Sequence, residues 1–258
     1  MATNPFDSQM ALPGVKKIIV VASGKGGVGK STVSTNLALS LRKYGSVGLL
    51  DADIYGPSLP RMLGAVNQKP QLAEGNKIIP LSRYGIKVMS MGFLVNEDAA
   101  IVWRGPMLFK AMDQFFKDVQ WGDLDYLVID LPPGTGDVQL SIVQKVKVDC
   151  AVIVTTPQNI SLIDAKKAID MFERTSVPLA GIVENMSYMI NPVNNEKIQL
   201  FPKGELRSYM DSKHLSLLAE IPFNTNISIG SEAGIPIVES YEDSIESQEF
   251  AKIAEKVK

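Results

Sequence analysis

Five apolar residues, Ile18–Ala22, run straight into Gly24-Lys25-Gly26-Gly27-Val28-Gly29-Lys30-Ser31-Thr32, and Val33, Leu37, Ala38 and Leu41 follow at helical spacing. A buried strand that turns through glycines directly into a helix leaves few folds open. The loop fits the phosphate-binding template G-x-x-x-x-G-K-[ST], with Gly24, Gly29, Lys30 and Ser31 at the fixed places. Its glycines let the main chain curl until N–H groups point at phosphate oxygens. The helix adds its positive dipole end at the same spot. Lys30 supplies a point charge to the β- and γ-phosphates, and Ser31 a hydroxyl to Mg²⁺.

The same letters satisfy G-x-G-x-x-G through Gly24, Gly26 and Gly29, with Asp51 and Asp53 near the place of a ribose-binding acid. Lys30-Ser31-Thr32 decides between the two readings. A dinucleotide pyrophosphate needs close helix–sheet packing after the last glycine, not a lysine and two hydroxyls. The expected ligand is therefore a nucleoside triphosphate.

Further along, apolar runs alternate with helical patterns, as in a parallel sheet covered by helices on both faces. Val47–Leu50, Ile86–Met91, Tyr126–Leu131, Ala151–Thr156, Leu179–Val183 and Leu217–Ile221 read as strands. Ala65–Gly85, rich in proline, glycine and polar residues, reads as an excursion containing a hairpin. Helices are expected after Pro106, over Asp137–Val146, and from Ser161, where Asp164 completes a capping box. Phe250, Ile253, Ala254 and Val257 form a terminal apolar stripe. Residues 1–11 read as a tail and 12–258 as one domain.

Asp130 closes the apolar run Y-L-V-I-D, where a carboxylate at a strand's carboxyl end faces the ligand crevice and is expected to hold Mg²⁺ opposite Ser31. Asp51 and Asp53 close L-L-D-A-D. Alternation along a strand gives them separate tasks, Asp51 in the magnesium shell and Asp53 on the attacking water. Gly134–Asp137 is expected near the γ-phosphate, as a loop able to register its presence.

Composition narrows the partners. A net charge of −2 over 258 residues and a pI near 5.6 leave no basic footprint for nucleic acid. The single cysteine, Cys150, allows no intrachain disulfide and suits a reducing compartment. Residues 1–14 lack the basic start and apolar run of a signal peptide, and no apolar stretch approaches the ~20 residues of a membrane span, so a cytoplasmic protein without stable membrane association is expected. His214, the only histidine, has no second ligand to make a metal site.

Lys25, within K-G-G-V-G-K-S-T, resembles the extra lysine of the deviant Walker A motif in the MinD/ParA/Mrp class of ATPases. L-P-G-V-K at Leu12–Lys16, D-A-D-I-Y-G-P-S at Asp51–Ser58, W-R-G-P-M at Trp103–Met107 and D-L-P-P-G-T-G-D at Asp130–Asp137 resemble the Mrp/ApbC family, as do V-T-T-P-Q at Val154–Gln158 and V-E-N-M-S-Y at Val183–Tyr188. The resemblance implies a Rossmann-like P-loop NTPase fold, ATP and Mg²⁺, slow hydrolysis, a homodimer and service to iron–sulfur cluster assembly with client proteins. It implies that Lys25 reaches the phosphates of a second copy. Asn185 would recognise the adenine edge with Pro222 nearby, a job suited to an amide that both donates and accepts.

One departure stands out. The family's cluster-ligating C-x-x-C follows N-M-S-Y, and the corresponding positions here are Asn191 and Asn194. An amide oxygen is hard and neutral, whereas an iron–sulfur cluster wants soft, anionic sulfur. Direct cluster binding is therefore not expected. A nucleotide-switched positioning adaptor of the MinD/ParA kind, docking through the terminal stripe, is the alternative reading.

Overall fold

The structure, a computed structural model, describes residues 9–54, 56–94, 105–202 and 204–258, with residues 105–110 described by their backbone alone. Strand β1 (Val15–Ala22) leads through the glycine loop into helix α1 (Lys30–Leu41), then β2 (Val47–Asp51) and a short α2 (Leu59–Met62). Hairpin β3 (Gln71–Ala73) and β4 (Lys77–Ile79) precedes β5 (Leu81–Arg83) and β6 (Ile86–Ser90). Next come α3 (Gly105–Lys117), β7 (Leu124–Asp130), α4 (Asp137–Lys145), β8 (Cys150–Thr155), α5 (Asn159–Arg174) and β9 (Leu179–Glu184). A second hairpin, β10 (Met189–Ile190) and β11 (Lys197–Ile198), is followed by α6 (Leu206–Lys213), β12 (Leu217–Glu220), α7 (Thr225–Ala233), α8 (Ile237–Ser240) and α9 (Ile245–Val257).

Eight strands form one sheet in the order β12-β9-β8-β1-β7-β2-β6-β5. All pairs are parallel except β5–β6 at one edge. Parallel strands covered on both faces have no solvent side, which is why β1 ends in five fully buried apolar residues and β8 is buried throughout. The Rossmann-like P-loop NTPase fold is the one the motifs imply.

Helix α1 is buried nearly all round, including Ser34, Thr35 and Asn36. On one side it packs against β7, on the other against α9. Phe250, Ile253, Ala254 and Val257 lie inside that contact, at most 2% exposed. The terminal stripe is therefore core and offers no docking face for an adaptor. Among the described residues no helix is long and apolar enough to cross a membrane.

Two local expectations are corrected. Helix α5 starts at Asn159, two residues before Ser161, and the Ser161 hydroxyl pairs with Thr156 Oγ1 at 2.6 Å instead of capping. The excursion holds the antiparallel edge strand β5 as well as a hairpin, because Tyr84 and Gly85 (φ 47° and 75°) turn the chain back onto β6. Met10 N–H donates to the Lys145 carbonyl at 2.6 Å. Tyr55 and the Trp103–Arg104 part of W-R-G-P-M lie outside the described residues.

Candidate functional site

Gly27 and Gly29 adopt left-handed φ of 78° and 82°, which an L side chain reaches only with strain. Gly24 matters for a different reason: a Cβ there would collide with the main chain of Asp164 in α5. Gly29 is the N-cap of α1, and no side chain caps that end. The first-turn N–H groups of α1 thus lack side-chain partners at a positive dipole end, an arrangement that attracts phosphate.

Beneath this turn three side chains converge on one carboxylate. Asp130, fully buried at the end of β7, accepts from Lys30 Nζ (2.8 Å) and Ser34 Oγ (2.6 Å) through Oδ1, and from Ser31 Oγ (2.6 Å) through Oδ2. Strand order makes this possible, since β7 lies beside both β1 and β2. Asp51 ends β2 directly opposite Asp130. Its oxygens accept from the main-chain N–H of Asp53 (3.1 Å) and Leu59 (3.3 Å) and from Ser90 Oγ (3.0 Å). Burial first, and then the Asp130 carboxylate, pushes the Asp51 carboxyl up to about 7.

A cavity of about 510 Å³ opens above the loop. Lys25, Gly26, Gly27, Gly29, Lys30, Ser31 and Thr32 form one wall; Asp53, Gly56–Ser58, Arg61 and Met62 form another. Pro133 and the α7 residues Ser231 and Glu232 complete it. Asp53 and Asp51 are thus separated, Asp53 in the cavity wall and Asp51 behind it among the supports of the Asp53–Leu59 segment. Gly134, at a left-handed φ of 92°, donates its N–H to the Ser23 carbonyl at 3.0 Å and holds the next loop against the site.

A second cavity of about 260 Å³ shares Gly29, Thr32, Ser231 and Glu232 with the first and adds Asn185, Met186, Pro222, Phe223 and Ile227. Asn185 donates from Nδ2 to the Val28 carbonyl at 2.8 Å, fastening the loop from outside. Residues from α7, together with Arg61, carry no local signal in the sequence. Ser231 and Glu232 arrive from a segment about 200 residues downstream of the glycine loop and Arg61 from about 30 residues downstream, through a chain path that only folding closes.

The hard oxygens of Ser31 and Asp130 suit Mg²⁺. The β10–β11 loop does not suit an iron–sulfur cluster. Asn191 Oδ1 accepts from Val193 N–H (2.9 Å), and Asn194 Oδ1 from Glu196 N–H (3.1 Å), so both amides are engaged in the loop's own turns. Cys150 lies in β8, its thiol pushed up to about 11 by burial. Among the described residues no three His, Cys, Asp or Glu side chains group as a metal site.

A family model described as ParA, NUBPL iron-transfer P-loop NTPase, matches residues 14–258. An iron-sulfur cluster carrier protein of Aquifex aeolicus is 46% identical over 97% of this chain and 69% of its own length. An Arabidopsis thaliana protein described as a mitochondrial iron-sulfur protein required for NADH dehydrogenase is 50% identical over 97% of this chain and 80% of its own. Among solved structures, an Archaeoglobus fulgidus nucleotide-binding protein in complex with ADP superposes with a TM-score of 0.76 at 39% identity, over 86% of this chain and 88% of that one. The septum site-determining protein MinD of Pyrococcus horikoshii shares the fold at a TM-score of 0.66 and 24% identity, over 96% of each chain. With a family model matched over nearly its full length and relatives about half identical to it, the chain belongs to the Mrp/ApbC family of NUBPL-type P-loop NTPases.

Proposed function

We propose that this chain is a Mg²⁺-dependent ATPase that works as a homodimer in iron–sulfur cluster assembly, without ligating a cluster through Asn191 and Asn194. The observation that carries the reading is the convergence of Lys30, Ser31 and Ser34 on Asp130 beneath the uncapped start of α1. Backbone amides of Gly26–Thr32 receive the triphosphate tail. Lys30 exchanges its bond to Asp130 for the phosphoryl oxygens, which changes its partner without changing its buried setting. Ser31 and Asp130 would hold Mg²⁺, which when bound supplies positive charge to those oxygens.

Asp53, in the cavity wall, polarises the attacking water. Lys25 acts on the phosphates of a second copy, since charge developing on the transferred group is stabilised by a cation supplied in trans. The 260 Å³ cavity takes the base, with the Asn185 amide at its edge and Pro222 on its wall. The iron–sulfur role comes from the carrier relatives and is carried out with cluster-bearing client proteins. The test is ATP turnover by the purified chain with Mg²⁺: a slow rate that Lys30→Ala removes supports the reading, and an unchanged rate in that variant ends it.

A further inference from the structure

The phosphate cavity and the base-side cavity meet at Gly29, Thr32, Ser231 and Glu232, which line both. A nucleotide strings phosphates, sugar and base together in that order. With phosphates over the glycine loop and the base beside Asn185, the sugar falls at this junction. A ribose presents two neighbouring hydroxyls there, and each needs an acceptor once water is displaced.

The four residues differ in what they offer. Gly29 has no side chain. Thr32 lies in the first turn of α1, beside the amides that receive phosphate. Ser231 Oγ donates to the Ile227 carbonyl at 2.8 Å, so its proton is committed within α7. Glu232 alone of the four carries a carboxylate, an acceptor with two oxygens that can take two hydroxyls at once. A hydroxyl bonded to an ionised acceptor is held about twice as strongly as one bonded to a neutral group.

Helix direction sorts the ligand the same way. At the junction α1 presents its positive end, whereas α7 presents its last turn, with Glu232 one residue before the helix ends at Ala233. Partial positive charge draws phosphates towards α1, and partial negative charge draws hydroxyl protons towards α7. The α7 end is firmly seated on α2. A Cβ on Gly234 would meet Gly64 Cα at 2.4 Å, and Tyr84 Oη donates to the Gly234 carbonyl at 2.5 Å. Across that contact Arg61 Nη1 stands 3.6 Å from Glu232 Oε2, offsetting part of the acid's repulsion for nearby phosphates. A carboxylate has about four lone-pair sites, so one guanidinium neighbour leaves others for the sugar.

Resting on the proposed placement of one nucleotide across both cavities, we propose that Glu232 recognises the ribose. Its carboxylate accepts from the 2′- and 3′-hydroxyls, and the chain thereby prefers ribonucleotides to deoxyribonucleotides.

The experiment is calorimetric titration of the full chain, in Mg²⁺, with ADP, 2′-deoxy-ADP and 3′-deoxy-ADP, for wild type, Glu232→Ala and Glu232→Gln. The quantity read is the ratio of each deoxy dissociation constant to that of ADP. A general change in charge at the site, such as release of Arg61, moves all three nucleotides together and cancels in the ratio. Expected is a ratio of about ten or more for at least one analogue in wild type. It should fall close to one in Glu232→Ala and stay intermediate in Glu232→Gln, which keeps one neutral acceptor oxygen. Glu232 is exposed on a helix, where alanine is well accommodated, so the variant keeps its fold. Equal binding of all three nucleotides by wild type overturns the proposal, as does a preference that persists undiminished in Glu232→Ala; in both cases ADP still binds and the nucleotide site stands. Failure of wild type to bind ADP removes the nucleotide site and the ribose assignment together.

Discussion

Lys30 and Asp130, 100 residues apart in the chain, meet at 2.8 Å with their side chains 6% and 0% exposed. An ion pair this buried stabilises little on balance, because desolvation offsets much of its attraction. Its value is positional. Without nucleotide it keeps the lysine extended beneath the phosphate cradle, and it ends at the same carboxylate that orients Ser31.

Lys30→Ala is expected to lower ATP turnover by about 10³-fold, and Lys25→Ala by a similar order if its charge acts across the dimer. Mixing the two variants in equal amounts should restore roughly a quarter of wild-type turnover, since half the dimers are mixed and each carries one intact site. A mixture no more active than either variant alone would place Lys25 in its own subunit's site.

Asn185 holds the Val28 carbonyl at 2.8 Å, and a Cβ on Gly29 would run into the same amide. Gly29→Ala therefore combines a collision with a left-handed strain of about 1–3 kcal/mol. It should melt earlier and bind labelled ADP poorly. Asn185→Ala removes the tie without the collision; it should weaken ADP binding by roughly tenfold and lower the melting temperature less than Gly29→Ala does.

Anaerobic incubation with iron and sulfide should leave the wild-type chain without a stable [4Fe–4S] cluster, because two engaged amides cannot replace two thiolates. The double variant Asn191→Cys with Asn194→Cys should gain visible absorbance and about four irons per dimer. Stoichiometric cluster on the wild type would show that other residues ligate it.

Burial raises the Cys150 thiol from 9.0 to about 11. Between those values the unfolded chain loses its proton while the folded chain keeps it, so stability falls as pH rises from 9 towards 11. The loss is about 2–3 kcal/mol at most. Alkaline urea melts should show that slope in wild type and not in Cys150→Ala. At pH 8 the native thiol should resist alkylation until urea exposes it.

How much of this was legible beforehand depended on the range of the signal. Ile18–Ala22 and the glycine loop declare a strand, a turn and a helix within fifteen residues, because each state has its own local chemistry. Strand ends were readable to within a residue or two around a central apolar run, Tyr126–Leu131 from the sequence against Leu124–Asp130 in the structure. The capping box at Ser161 misled because its hydroxyl had a nearer partner in Thr156. Edge strand β5 and the β10–β11 hairpin escaped notice, being two or three residues long and lacking an apolar run.

Sequence alone determined that a P-loop joins a strand to a helix, that an aspartate closes an apolar strand, and that Asn191 and Asn194 stand where the family resemblance expects cysteines. Those are matters of residue type and local spacing. Tertiary structure alone decided that Asp53 lines the cavity while Asp51 stands behind it, that α7 closes the far wall, and that Glu232 stands where the two cavities join. Strand order and helix packing bring those groups together across the chain, and no local pattern records which distant segments will become neighbours.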